Sequence, residues 1–353
     1  MEDGMMESYR YMDRTFSESS ANSSGAFSDF GSERSGEFAL NSQIAHRIIA
    51  STAAESNCSE GLERSLVADL ESDSVEAQRR AAMEIRLLTK CNADNRLRFV
   101  REGAVRPLVS LMSSTDPQIQ EHSVTAILNL SLRDENRDAI AAAGAIKPLV
   151  RALKFGTAAA KENAAFALLR LSHIEDHKVA IGRSGAIPLL VNLLETGTLR
   201  GKKDALATLY TLCSARENEV RAVQAGIMKP LLELMADPDS GMVDKAAFVM
   251  NILVVSGEAR AAVVAEGGIP VLVEIVEVGL EKQKEMAASV LLQICEESVA
   301  YRSMVAREGA IPPLIALSQA GTTKARKKAE ALIGLLRLAR AGNSRWTAAD
   351  GPD

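Results

Sequence analysis

Three lysines, Lys161, Lys202 and Lys284, stand at one position when the helical segments that hold them are aligned on their alanine pairs and terminal leucines. Lys203 is adjacent, Lys245 and Lys282 lie nearby, and Lys324, Arg326, Lys327 and Lys328 end the series. An ammonium group donates hydrogen bonds and accepts none. A row of them, spaced by a structural repeat, suits an extended acidic or phosphorylated chain. The competing reading is a set of solvated residues at helix starts. The helix dipole favours cations at the opposite end, so stability alone does not account for the placement.

Other constellations are weaker. His173 and His177 stand four apart and would share a face of one helix, a spacing that can hold a metal. Glu175 sits in the wrong place for a zinc-protease pattern, and the segment falls between two repeating units, so a polar loop and no metal are expected. His46 and His122 are isolated. Gly197 to Lys203 resembles part of a phosphate-binding loop, but it is one residue short, lacks the hydroxyl that would hold Mg²⁺, and follows a helix. With no nucleophile–base pair in view, no catalytic residue and no cofactor are expected, and the chain reads as non-enzymatic.

Composition narrows the classes further. The net charge of −5 argues against a general nucleic-acid binder. Cys58, Cys91, Cys213 and Cys295 are far apart and form no C-x-x-C pair, so they read as buried thiols in a reducing compartment. No apolar run of about 18 residues and no secretory signal is visible. A cytoplasmic or nuclear monomer without a membrane span is the expectation.

The elements that must position the lysines come from an internal repeat. A glycine followed by a small or apolar pair and a proline returns at Gly103, Gly144, Gly185, Gly226, Gly267 and Gly309, at spacings of 41, 41, 41, 41 and 42. Glycine can end a helix in the left-handed conformation, and proline fits the first turn of the next helix. Each motif therefore predicts a corner between two helices. An apolar-periodic segment follows, then a third helix such as Lys161 to Ser172, with Ala164, Ala165, Leu168 and Leu171 at helical spacing. Asp116-Pro117 offers a cap and a first-turn proline for the third helix that runs to Ser131. The fold class is all-α, a solenoid of three helices per repeat over 57–340, with a partial capping unit and six repeats. Residues 1–56 read as a serine-rich disordered region, with a short helix predicted at 41–56 from Ile44, Ile48 and Ile49. Residues 341–353, which hold Trp346, read as a flexible tail.

Asn136-Arg137 leading to Gly144-Ala145-Ile146, and the run Ala126 to Ser131, resemble armadillo repeats throughout 62–338. In detail they are similar to plant armadillo proteins related to U-box ubiquitin ligases, whose linker resembles Ser24 to Asp29 and Ser32 to Phe38. The resemblance implies a right-handed superhelix whose third helices line a concave groove. It places Asn129, Arg170 and the lysines Lys161, Lys202, Lys203, Lys245, Lys282 and Lys284 along that groove. A U-box needs a folded segment of about 70 residues. Residues 1–61 are too polar and broken to supply one, so intrinsic ligase activity is not expected. The implied function is a non-catalytic scaffold that binds an acidic or phosphorylated protein segment in ubiquitin-linked plant signalling or stress responses. The alternative is an adaptor in ubiquitin transfer. A nuclear-import adaptor fits less well. Asn129 matches the asparagine of that branch, but Thr125, four residues earlier, is not tryptophan, and Arg170, Thr211, Ile252 and Gln293 follow in later repeats.

Overall fold

The computed structural model describes residues 60–346. The expectations for 1–56, and with them Cys58 and His46, lie outside that span. Among the described residues the only regular elements are α-helices and the 3-10 turns Asp134–Asn136 and Pro238–Ser240. A helix pair, Glu60–Leu70 and Val75–Cys91, opens the array. Six three-helix repeats follow. Their first helices begin at Ala93, Arg137, Glu175, Arg216, Gly257 and Val299. Their third helices are Pro117–Ser131, Ala158–Ser172, Leu199–Leu212, Val243–Leu253, Glu281–Glu296 and Thr323–Trp346. Adjacent third helices pack side by side into one layer, with the middle helices packed against it. The last helix continues through 341–346, past the start of the expected tail.

The predicted corners are present. The six motif glycines all have φ between 74° and 87°. At Gly144 the backbone N–H of Gly144 donates to the Ala141 carbonyl at 2.8 Å, and that of Ala145 to Ile140 at 3.4 Å. This bond pair, with the glycine left-handed, ends the first helix and satisfies its last carbonyls. Pro148 then lies in the first turn of Ile146–Phe155, where no N–H is needed.

A second glycine series marks the next corner. Gly156, Gly197, Gly279 and Gly321 each end a middle helix in an extended conformation. At Gly197 an added Cβ would lie 2.5 Å from the Leu193 carbonyl oxygen, so the close approach excludes a side chain. Thr198 follows and caps the third helix by accepting from the Gly201 N–H. The segment from Gly197 to Lys203 is thus a helix–helix junction rather than a phosphate loop. His173 ends one helix and His177 lies in the next, Glu175–Arg183, so they do not share a helical face.

The alanine pairs of the third helices, such as Ala164 with Ala165 and Ala287 with Ala288, are fully buried, which lets the helices approach closely. One apolar core runs from Leu66 to Leu336. Val124, Ala165, Leu206, Ala247 and Ala288 are completely buried against the following repeat, whereas the equivalent residue of the last repeat is the exposed Glu330. Arg337 likewise replaces the buried Ser131, Ser172, Cys213, Val254 and Cys295. The outward side of the sixth repeat is therefore polar, as a terminal solenoid unit requires. No described helix is long and apolar enough to cross a membrane.

Candidate protein-binding face

The third-helix layer is tied together by a contact in one register. The residue five after the cap of one helix meets the cap residue of the next. Arg79 bonds Asp116 at 2.6 Å, Thr157 donates to Glu121 at 2.6 Å, Thr198 donates to Glu162, and Thr322 donates to Glu285 at 2.7 Å. A second set of contacts also joins neighbouring third helices. Arg200 Nη2 donates to Asn163 Oδ1 at 2.9 Å, and Asn163 Nδ2 donates to Thr125 Oγ1 at 2.9 Å. Gln293 donates to Asn251 at 3.0 Å. Carboxylates of the layer also face cations: Glu121 lies 3.7 Å from Arg86, Glu285 3.8 Å from Lys328, and Asp204 3.6 Å from Arg200.

The predicted lysine column is real as a register, four residues after the cap, but its direction differs from the expectation. Lys284 Nζ donates to the Glu277 carbonyl at 2.8 Å, at the C-terminal end of the middle helix of its own repeat. Gln120, at the same position, donates to Met112 O at 3.1 Å. At Lys284 and Gln120 this position bonds the junction with the middle helix. The cation at a helix start is explained by the C-terminal dipole of its neighbour. Lys161 and Lys202 share the register and are half-buried. Lys282 stands two residues after the cap, as Arg200 and Lys324 do. Two residues are about 200° of helical rotation, so this second column lies nearly opposite the first. The first column faces the middle helix through Lys284, so the second faces the open side of the layer, and from it Arg200 reaches Asn163 of the preceding third helix. Lys282 and Lys324 are exposed on it.

Two other expected groove residues are structural. Asn129 is 2% exposed, and its Nδ2 donates to Arg86 O at 2.9 Å, bridging to the helix before it. Arg170 lies 3.6 Å from Asp134 and 3.5 Å from the Leu132 carbonyl. Burial, then the charge of Arg137, brings its guanidinium down to about 10.

Lys203 and Lys245 lie on the two third helices that flank a break in the regular register. The fourth third-helix starts only at Val243, after the turn Pro238–Ser240 and the left-handed Gly241, which has φ 63°. Ser240 turns its hydroxyl inward to Asp237 O at 2.7 Å instead of toward the preceding helix. The third helices of repeats 3 and 4 consequently touch far less than any other adjacent pair. Lys203 is exposed and Lys245 half-buried. Burial, and then the Lys203 charge, lowers the Lys245 ammonium below the usual lysine range. Beneath them Asp204 is 9% exposed with no hydrogen bond to Oδ2. Burial pushes its carboxyl up to about 7; Arg200 opposes the shift, Glu162 adds to it, and Lys203 opposes it.

The first helices carry a ladder that the sequence reading quoted without explaining. Asn136 Nδ2 donates to Leu130 O at 2.9 Å and Arg96 O at 3.1 Å, and Asn218 donates to Leu212 O and Lys178 O, both at 3.0 Å. The next residue is often basic and caps the previous third helix: Arg96 donates to Thr89 O at 2.9 Å and Arg302 to Cys295 O at 2.7 Å. His177 occupies the asparagine position in its repeat, but its buried Nδ1 has no hydrogen-bond partner there. Among the described residues no cluster could hold a metal ion.

Comparison with known proteins gives this arrangement its family. The family model "Plant U-box protein ARM repeat region" matches residues 127–344, and "Armadillo/beta-catenin-like repeat" matches 92–132. U-box domain-containing protein 3 of Arabidopsis thaliana is 63% identical over 234 residues, 66% of this chain and 31% of that protein. U-box domain-containing protein 4 of the same plant is 65% identical over 235 residues, 67% of this chain and 28% of that protein. The chain therefore spans about a third of the length of the curated relatives it matches. A crystal structure of an engineered protein aligns with a TM-score of 0.65 at 25% identity, covering 78% of this chain and 68% of that one. With a family model matching well over half of its length, the chain belongs to the armadillo-repeat family of plant U-box proteins.

Proposed function

We propose that the chain is a protein-interaction scaffold that binds an extended acidic or phosphorylated segment of a partner along the open side of its third-helix layer. The observation that carries this is an imbalance of charge. Glu121, Glu162, Asp204 and Glu285 are engaged by hydroxyls or cations of the layer itself, and the solvent-facing charges of the same registers in the six repeats include Lys203, Lys282 and Lys324 with the single acid Asp244. In a chain of net charge −5, exposed lysines thus outnumber exposed acids at these positions of the layer. Such a surface favours acidic partners and repels basic ones.

The relatives are named for a U-box, so the reading extends to ubiquitin-linked signalling, with this region selecting the protein to be modified. A reducing compartment, the cytoplasm or nucleus, accords with the buried free thiols Cys213 and Cys295. Binding of the full chain to immobilised acidic, neutral and basic peptide pools at two salt concentrations tests the charge selection. The acidic pool is expected to bind best and to weaken with salt as the Debye length falls to about 8 Å. Equal binding of the basic pool would reject the reading. A ubiquitylation reaction with E1 and E2 enzymes tests the pathway role. Ubiquitin chains are expected only when a separate ligase is added, and chains formed by the purified protein alone would contradict a non-catalytic scaffold.

A further inference from the structure

The open side of the third-helix layer carries rings as well as charges. Phe166, Ala207 and Phe248 directly follow Ala165, Leu206 and Ala247, the residues buried against the next repeat. They stand seven residues after Ala159, Arg200 and Gly241. Seven residues are about 700° of helical rotation, so this stripe shares the face of the second basic column. It is aromatic where it crosses repeats 3 and 4: Tyr210, one turn after Ala207, sets its ring 5.4 Å from that of Phe248. The middle helices back the layer from its other side. Phe166 and Phe248 are nevertheless only 4% and 6% exposed, whereas Ala331, at the same position of the last repeat, is exposed. Rings shielded from water on the open side suit an occupant supplied by the chain itself over a partner that comes and goes.

Residues 1–59 have the matching chemistry. They carry nine acids against four arginines, and the resulting −5 is the net charge of the whole chain. They also hold Phe16, Phe27, Phe30 and Phe38, half of its eight phenylalanines. They lead directly into Glu60–Leu70, at the start of the array. Neighbouring helices pack about 8–10 Å apart, so repeat 4 lies roughly 40 Å from the opening helix pair. An extended chain covers that distance in about 12 residues, at roughly 3.3 Å each. We propose that residues 1–59 dock on the open side as an intramolecular pseudo-ligand, which an acidic partner must displace. This rests on the reading of the open face given above and adds its regulation. The phenylalanines meet the stripe from Phe166 to Phe248. The acids of the face set the placement: Asp239 and Asp244 are exposed in repeat 4 and repel carboxylates there. The carboxylates of the segment therefore fall at Lys203 in repeat 3 and at Lys282, Lys324 and Lys327 in repeats 5 and 6, all of them exposed. A segment too poor in apolar residues to fold alone can order on such a surface. Its tether supplies an effective concentration up to the order of millimolar, so a weak and exchangeable contact is enough to keep it there.

The test treats the full chain with a carbodiimide, which joins lysine amines to carboxylates without a spacer, and maps the products by mass spectrometry. Mixing unlabelled and ¹⁵N-labelled chains separates bonds within one chain from bonds between two. Bonds within one chain are expected from the acids of residues 1–59 to Lys203, Lys282, Lys324 or Lys327. They should be at least about fivefold more abundant than bonds to Lys147 and Lys154, exposed on a middle helix. The full-length variant Phe27→Ser/Phe30→Ser/Phe38→Ser should lose that excess. It should also bind a pool of acidic peptides at least about fivefold more tightly than the wild type, because the competitor has left. Circular dichroism confirms that the variant keeps its helix. Bonds spread evenly over the two lysine sets, or formed only between chains, overturn the intramolecular docking. So does a variant that binds the acidic pool no better than the wild type, a result that leaves the acidic-face reading intact. Failure of both proteins to bind the acidic pool would overturn that reading and the competition built on it.

Discussion

Asp204 concentrates the electrostatic conflict of the third-helix layer in one residue. Its carboxyl is almost fully buried, has one oxygen without a hydrogen bond, and is raised to about 7. The folded state therefore holds its proton more tightly than the unfolded chain does. The associated stability is complete below about pH 4 and is lost as pH rises through 7. Replacing Asp204 with Asn removes the charge but keeps the shape. The variant is expected to match wild type near pH 5 and to exceed it at pH 8 by about 1–3 kcal/mol, read from urea titrations at the two values. A variant no more stable at pH 8 than at pH 5, each against wild type, would show that Arg200 already neutralises the site. The sequence made the lysines visible at this scale but not their direction. Lys161, Lys202 and Lys284 do align, yet the side of a helix they serve depends on where the middle helix ends. The Glu277 carbonyl that receives Lys284 is a backbone atom with no signature of its own. Lys282, two residues away in sequence, belongs to the same basic cluster by spacing but stands on the other side of the helix.

At the scale of the element, the corners carry most of the information. The motif glycines were legible because a positive φ admits few other residues, and their spacing repeats. Gly144→Val is expected to destabilise the array by about 1–2 kcal/mol, since a β-branched residue is strained at φ 81°. An unchanged urea midpoint would mean that the corner relaxes without cost. The threonine caps after the second glycine series escaped the sequence reading, because their partners Glu121, Glu162 and Glu285 lie in another repeat. Thr198→Val removes both the cap to Gly201 N–H and the bond to Glu162. It should cost about 1–2 kcal/mol. Thr198→Ser keeps the hydroxyl and should restore most of it. Equal losses in the two variants would point to the methyl group and its packing instead.

For the molecule as a whole, a solenoid is as strong as its nearest-neighbour interfaces. The weakest contact between third helices lies between repeats 3 and 4. Native-state hydrogen exchange should show the amides of Val243–Leu253 opening at lower free energy than those of Ala158–Ser172. Uniform protection along the array would mean that the first and middle helices compensate. This irregularity has its sequence trace in Pro238 and Gly241, which replace the glycine–threonine corner of repeats 2, 3 and 6. Periodicity alone drew the eye to what repeats rather than to the unit that departs.

The central claim is that the open side of the third-helix layer, and not the outer surface, receives an acidic partner. Calorimetry with a partner recovered on the full chain tests it most directly by comparing two triple charge reversals. One is Lys203→Glu/Lys282→Glu/Lys324→Glu on the layer. The other is Arg106→Glu/Lys147→Glu/Arg151→Glu, exposed on the middle helices. Both change the net charge equally, so long-range steering is matched. The account predicts at least a tenfold loss of affinity, about 1.4 kcal/mol, for the first variant and less than a threefold change for the second. Equal losses in the two variants, or a larger loss in the second, would contradict it.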